Sequence, residues 1–316
     1  MKRAISALVL LALVAMLAVS GFCETTAVRV GALTGPTAMG MAQLLNQPEY
    51  TPTIVGAADE LMPRILQGEV DIAAVPANLA ATLYQKTNGQ VTVLAVNVLG
   101  VLYVGELGGE TVQTVADLKG KTLLATGKGA TPEYFLRYIL TQNGLDPDKD
   151  VAIQWKSEPS EVVALLNAKG EGLAMLPQPY VTAAANQLGE DFRIALSVSE
   201  EWEKLESDSR CTTAVVMART AFVQEHPEQV QAFLEALSQS VQWVNEQPQE
   251  AAELCEQLGI IKAGVAKKAI PGCNLVCITG DEMKQALSGC LEVIYDQNPK
   301  AVGGSLPGDD FYYGAE

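Results

Sequence analysis

Hydrophobic residues gather along this chain in short, dense runs separated by glycine, proline and threonine. VDIAAV (70–75) is almost wholly apolar and is followed by Pro76; EGLAMLP (171–177) has a similar make-up and ends at Pro177. Strands without a polar face belong inside a sheet that helices cover on both sides. Before the first run, AVRVGAL (27–33) reads as a strand and TGPT (34–37) breaks it. AMGMAQLLN (38–46) then has helical character, TPTIVGA (51–57) is a strand, and ELMPRILQGE (60–69) is a helix with Pro63 expected in its first turn. Before the second run come a strand KTLLA (121–125), a glycine turn TGKGATP (126–132) and an amphipathic helix EYFLRYILTQNG (133–144) stopped by Asn-Gly. A strand VAIQWK (151–156) and a helix PSEVVALLNAKG (159–170) complete it. Both passages spell strand, Thr-Gly turn, helix, strand, helix, strand, proline. Alternating β and α units with short turns predict two α/β lobes with mostly parallel sheets and right-handed crossovers.

Two further β-type stretches connect the lobes. VTVLAVNVLGVLYVGE (91–106) is long enough to leave the first lobe, and RCTTAVVMA (210–218) returns to it, so the chain crosses a hinge twice. Beyond Arg219 the chain is helix-rich; Phe222, Val230, Phe233, Leu234, Leu237, Val241 and Val244 recur at helical spacing and read as packing. His226, just before Pro227, stands at a helix start with no neighbouring nucleophile or metal ligand, and reads as structural.

Composition narrows the class. Of 316 residues, 48% are hydrophobic and 18% charged, which is a globular composition. The net charge of −16 argues against a nucleic-acid surface. At the N-terminus MKR precedes the apolar ISALVLLALVAMLAV and the small residues of AVSGFCE, the layout of an export signal over 1–20 with cleavage at about 20–23. The competing reading, an anchor helix, meets a run short of the ~20 residues a span needs. Cys23 opens lipid anchoring as an alternative, but Phe22 departs from the small residue expected there, so unanchored export is favoured. Export permits disulfides among Cys211, Cys255, Cys273, Cys277 and Cys290; a structural disulfide or buried thiols are preferred to a metal site, because His226 is the chain's only histidine.

With these pieces in order the chain resembles a known family. VRVGALTGPTAMGMAQLL, ELMPRILQGEVDIAAVPANLA, TVADLKGKTLLATGKGATPEYFLRYIL and TTAVVMARTAFVQEHPEQVQAFLEAL are together similar to extracytoplasmic solute-binding proteins of ABC importers, in the nitrate, sulfonate, taurine and thiamine-precursor branch. The resemblance implies a two-lobed type II periplasmic-binding fold. One lobe would comprise 27–104 with 213–316 and the other 105–212. It further implies a monomer without cofactor or catalysis that closes on a small anionic or heteroaromatic solute and docks on a membrane permease. Two alternatives are a cleft enzyme of the same fold, similar to those of menaquinone-precursor synthesis, and a ligand sensor without a transporter.

Candidate site residues follow from the strand ends, where open α/β sheets bind ligands. Thr34, Gly35, Pro36 and Thr37 in one lobe, and Thr126, Gly127, Lys128, Gly129 and Thr131 in the other, bring hydroxyls and helix-start N–H groups to matching turns, with Lys128 adding a charge. Just past Pro76 and Pro177 stand the amides Asn78 and Gln178, which both donate and accept. Tyr180 offers an aromatic wall, and Tyr103, in the crossing strand, a weaker one. No carboxylate–histidine or cysteine–histidine pairing accompanies these loops, which favours binding over catalysis.

Overall fold

The computed structural model describes residues 27–205 and 209–315; the export signal and Cys23 lie outside them. Eleven strands are present among the described residues: β1 Val28–Leu33, β2 Tyr50–Val55, β3 Ile72–Pro76, β4 Val91–Leu99, β5 Leu102–Leu107, β6 Thr122–Thr126, β7 Ala152–Lys156, β8 Gly172–Pro177, β9 Phe192–Ser197, β10 Thr212–Arg219 and β11 Leu275–Ile278. They form two sheets, ordered β11-β4-β10-β3-β1-β2 and β7-β6-β8-β5-β9. With the edge strand β11 left aside, the two orders are the same. In each, a strand arriving from the other lobe (β10 or β5) inserts antiparallel beside the third strand of a parallel trio. The registers match as well: Pro76 faces Ala214 and Pro177 faces Leu102, so each proline ends its strand beside the incoming one.

Burial explains this arrangement. β4 is buried at all nine positions and β5 at all six, as strands lacking a polar face must be. Helices Pro227–Glu246 and Pro248–Gln257 cover one face of the first sheet through Val230, Phe233, Leu237, Ala251 and Cys255. The main apolar cluster runs through the connection itself, from Val75 and Val96 over Leu99, Leu102 and Cys211 to Phe135, Met175 and Trp202.

Several local expectations change. The stretch 91–106 is not one strand; it divides at Gly100–Val101, where the chain passes from one sheet to the other. A Cβ on Gly100 would lie 2.8 Å from both Cys211 Sγ and Ser199 Cβ, so only glycine fits that passage. Residues 38–46 do not form one helix; two four-residue helices, Pro36–Met39 and Ala42–Leu45, stand there with a break at Gly40–Met41. Pro63 lies in the middle of helix Ala58–Leu66 instead of its first turn, because helical geometry begins at Ala58, and Leu61 and Ile65 bury that face in spite of the missing N–H. The second-lobe helix begins at Thr131, two residues earlier than its apolar pattern suggests, with Pro132 in its first turn.

Candidate functional site

The two sheets point their strand tips at one another, and each tip is shaped by its turn residues. After β1 the chain turns at Gly35 (φ 87°), whose carbonyl accepts from the N–H groups of Ala38 and Met39. After β3, Pro76 starts helix Ala77–Lys86, with Asn78 in its first turn. After β6, Gly127 takes φ 86°; a Cβ there would meet the Pro132 ring at 2.6 Å. After β8, Gln178 precedes a cis peptide bond to Pro179, and helix Tyr180–Leu188 follows.

Direct bonds join the lobes along two lines. On the first, the Thr131 hydroxyl donates to Asn78 Oδ1 at 3.2 Å, while Asn78 Nδ2 donates to the Ala301 carbonyl at 3.3 Å. The carbonyl can only accept, so it fixes which way this amide faces. Three residues on from Thr131 in helix Thr131–Gln142, the Tyr134 hydroxyl accepts from Asn298 Nδ2 at 2.9 Å and the Tyr134 carbonyl from Gln297 Nε2 at 3.0 Å. On the second line, the Tyr103 hydroxyl donates to the Gly272 carbonyl at 2.7 Å, and a Cβ on Gly272 would come within 2.5 Å of Gln178 Nε2. Gln178 is held there by its own bonds: its N–H donates to the Val101 carbonyl and its Oε1 accepts from the Thr182 hydroxyl. Lys268 Nζ, further along, reaches Asn186 Oδ1 at 2.6 Å. Burial pushes the Tyr103 hydroxyl up to about 12, with Cys273 and Glu200 adding to the shift, so it stays a donor at neutral pH.

Of the residues selected from sequence, Asn78 and Thr131 touch each other, and Gln178 and Tyr103 pack together against Gly272. Thr37 is drawn in through its carbonyl, which accepts from Asn97 Nδ2 at 3.1 Å. Thr34 is exposed, with Gly35 and Pro36 partly so; the four-residue helix that follows them is too short to hold an anion by its N-terminus. Thr126 is buried, whereas Lys128 and Gly129 are exposed. At this second turn the Gly129 N–H already donates to the Glu133 carboxylate at 2.6 Å, which places a negative group where an anion cradle was expected. Tyr180 is 43% exposed and stands at the rim.

Three contributors escaped the sequence reading. Asn97 is the one polar side chain between Val93 and Leu102, and that alone marks it; Gly272 and Tyr134 carry no such signal. Three surface cavities lie elsewhere. One of about 500 Å³ is lined by Lys121, Lys169 and Glu171 at the far end of the second sheet. Two others share Arg219 at the amino ends of the first sheet, and His226 lines one of these beside Arg29 and Asp71. All five described cysteines are thiols.

Residues 55–259 match the sequence model of the NMT1-like family. No curated protein sequence matches significantly. Among solved structures, an ABC transporter protein of Parabacteroides distasonis is 26% identical, covers 91% of this chain and 98% of its own, and superposes with a TM-score of 0.77. The periplasmic aliphatic sulphonate binding protein SsuA of Escherichia coli is 19% identical, over 88% of this chain and 90% of that one, with a TM-score of 0.69. The alkanesulfonate-binding SsuA of Xanthomonas axonopodis pv. citri, bound to MOPS, is 15% identical, over 90% and 95%, with a TM-score of 0.60.

Proposed function

The chain belongs to the NMT1-like family, and from that premise we propose that it is the solute-capturing component of an ABC importer working outside the cytoplasm. It takes one small solute between its lobes and delivers it to a membrane permease. The observation that carries this reading is the Thr131–Asn78 hydrogen bond, which ties the tip of the second sheet to the tip of the first. Two sheets of like strand order that meet tip to tip form a clamp, and hinge closure is how such a pair takes up a ligand. The lobes we assign are 27–100 with 213–316, and 101–212, with the passage at Gly100–Val101 as one hinge; the boundary expected at 104 moves back because β5, which carries Tyr103, pairs within the second sheet. The binding set we assign is Thr34, Gly35, Pro36, Thr37, Pro76 and Asn78 from the first lobe, and Thr126, Gly127, Lys128, Gly129, Thr131, Pro177, Gln178 and Tyr180 from the second. The similarity to SsuA of Escherichia coli, a periplasmic protein, supports work outside the cytoplasm.

A thermal-shift screen against inorganic anions, alkanesulfonates, pyrimidines and amino acids tests the reading, because a ligand that binds only the native state raises its melting temperature. Asn78→Ala should weaken any hit about tenfold while the protein stays folded, from loss of roughly 1.4 kcal/mol of hydrogen bonding. Lys128→Ala should weaken an anionic hit and leave a neutral one unchanged. Undiminished affinity in both variants would remove the site assignment, and turnover of the hit would replace capture with catalysis.

A further inference from the structure

Asn97 is 1% exposed, and its Oδ1 is the single buried side-chain polar atom among the described residues without a hydrogen-bond partner. The orientation of its amide is not in question. Nδ2 faces the Thr37 carbonyl at 3.1 Å, and a carbonyl accepts only a donor, so the other end of the amide must be the oxygen. Asn97 lies close to the end of β4, beside the turn after β1 and just before the passage between the lobes. A buried acceptor left without a donor is costly, and folded proteins keep few of them.

We infer that Oδ1 of Asn97 is an acceptor for the solute, and therefore that the solute carries an N–H or O–H donor. This rests on the solute-capture reading above and narrows it. Nitrate, and alkanesulfonates without a further polar group, present acceptors alone and would set oxygen against oxygen at Asn97. Amines, amides, amino-heteroaromatics and amino-sulfonates fit. The second-lobe turn agrees, because the Gly129 N–H that might receive an anion there is already taken by the Glu133 carboxylate.

The test is isothermal titration of the purified protein with matched probes: taurine against ethanesulfonate, β-alanine against propionate, and 4-aminopyrimidine against pyrimidine. In at least one pair the donor-bearing member should bind about tenfold tighter or more, the scale of one unmet buried polar group. Asn97→Leu keeps the volume and removes the acceptor, so it should bring that pair to near equality. If the donor-free member binds as tightly, or the preference survives Asn97→Leu, the donor requirement is overturned while solute capture stands. If no probe binds the wild type and native mass spectrometry finds no co-purified small molecule, solute capture itself falls and takes this inference with it. Should Asn97→Leu fail to fold, the wild-type pairs decide alone.

Discussion

At Gly272 a single methyl group decides how closely the lobes approach. Alanine there would place its Cβ 2.5 Å from Gln178 Nε2 and 3.3 Å from the Tyr103 hydroxyl, and Gln178 has little room to retreat because its backbone and Oε1 are both bonded. Gly272→Ala should therefore weaken solute binding about tenfold by titration and leave the melting temperature within a few degrees of wild type, since the clash is relieved when the lobes part. A normal affinity would show that these lobes need not meet at Gly272. Asp71 belongs to this scale too. It is 7% exposed and receives Arg29 and Arg219 together at the base of the first sheet. Burial alone would raise its carboxyl; the two guanidinium hydrogen bonds outweigh that and hold it below the usual range. A lowered folded value means its stabilisation is complete above the ordinary carboxyl range and is lost as pH falls through the folded value. Asp71→Asn should cost about 2 kcal/mol at pH 7, with both guanidiniums left partly solvated, and the gap to wild type in urea unfolding should shrink below about pH 4. A gap that stays constant with pH would remove the ion cluster from the acid response. Sequence disclosed single residues unevenly: Asn78 and Thr131 were legible because they follow strands, whereas the value of Asn97 depends on Thr37, which no local pattern connects to it.

Among the elements, the C-terminal segment 303–313, GGSLPGDDFYY, carried no assigned role in sequence, yet the structure shows it strapping helix Ala77–Lys86 to the first sheet. Gln85 Nε2 donates to the Ser305 and Leu306 carbonyls, and the Tyr84 hydroxyl donates to Asp310 at 2.6 Å. The Tyr313 N–H donates to the Val93 carbonyl, and Phe311, fully buried, stacks edge-on against Tyr84 with ring centroids 5.1 Å apart. The same helix carries Asn78, so the strap sets where Asn78 stands. Phe311→Ala should cost about 3–5 kcal/mol of unfolding free energy and weaken solute binding more than a comparable cavity in the second lobe, such as Phe135→Ala. Equal effects on binding would show that the strap stabilises without positioning. Strands and crossover helices were legible because each carries its own apolar period. The strap was not, because its contacts join residues more than two hundred positions apart, and the division at Gly100 was not, because one glycine interrupts an apolar run without changing its pattern.

For the molecule as a whole, the repeated grammar of the two half-chains was readable because duplicated strand order leaves duplicated sequence order, and the matching registers of Pro76 and Pro177 are its structural counterpart. What sequence alone did not give is how the lobes hold each other. Two separate lines of bonds do so, through Tyr134 with Asn298 and through Tyr103 with Gly272. Tyr134→Phe and Tyr103→Phe each delete one hydroxyl and keep the ring, so the apolar packing is preserved. A net hydrogen bond contributes about 1 kcal/mol, so each variant should shift the closed-to-open ratio roughly fivefold. The two lines share no partner, so the effects should multiply to about twenty-five-fold in the double variant. Because apparent affinity scales with the closed fraction, the double variant should bind solute more weakly than either single one, and its radius of gyration in solution scattering should rise even without solute. An unchanged radius together with unchanged affinity in the double variant would mean that apolar contact through Leu99, Leu102 and Trp202, not these hydroxyls, holds the clamp shut.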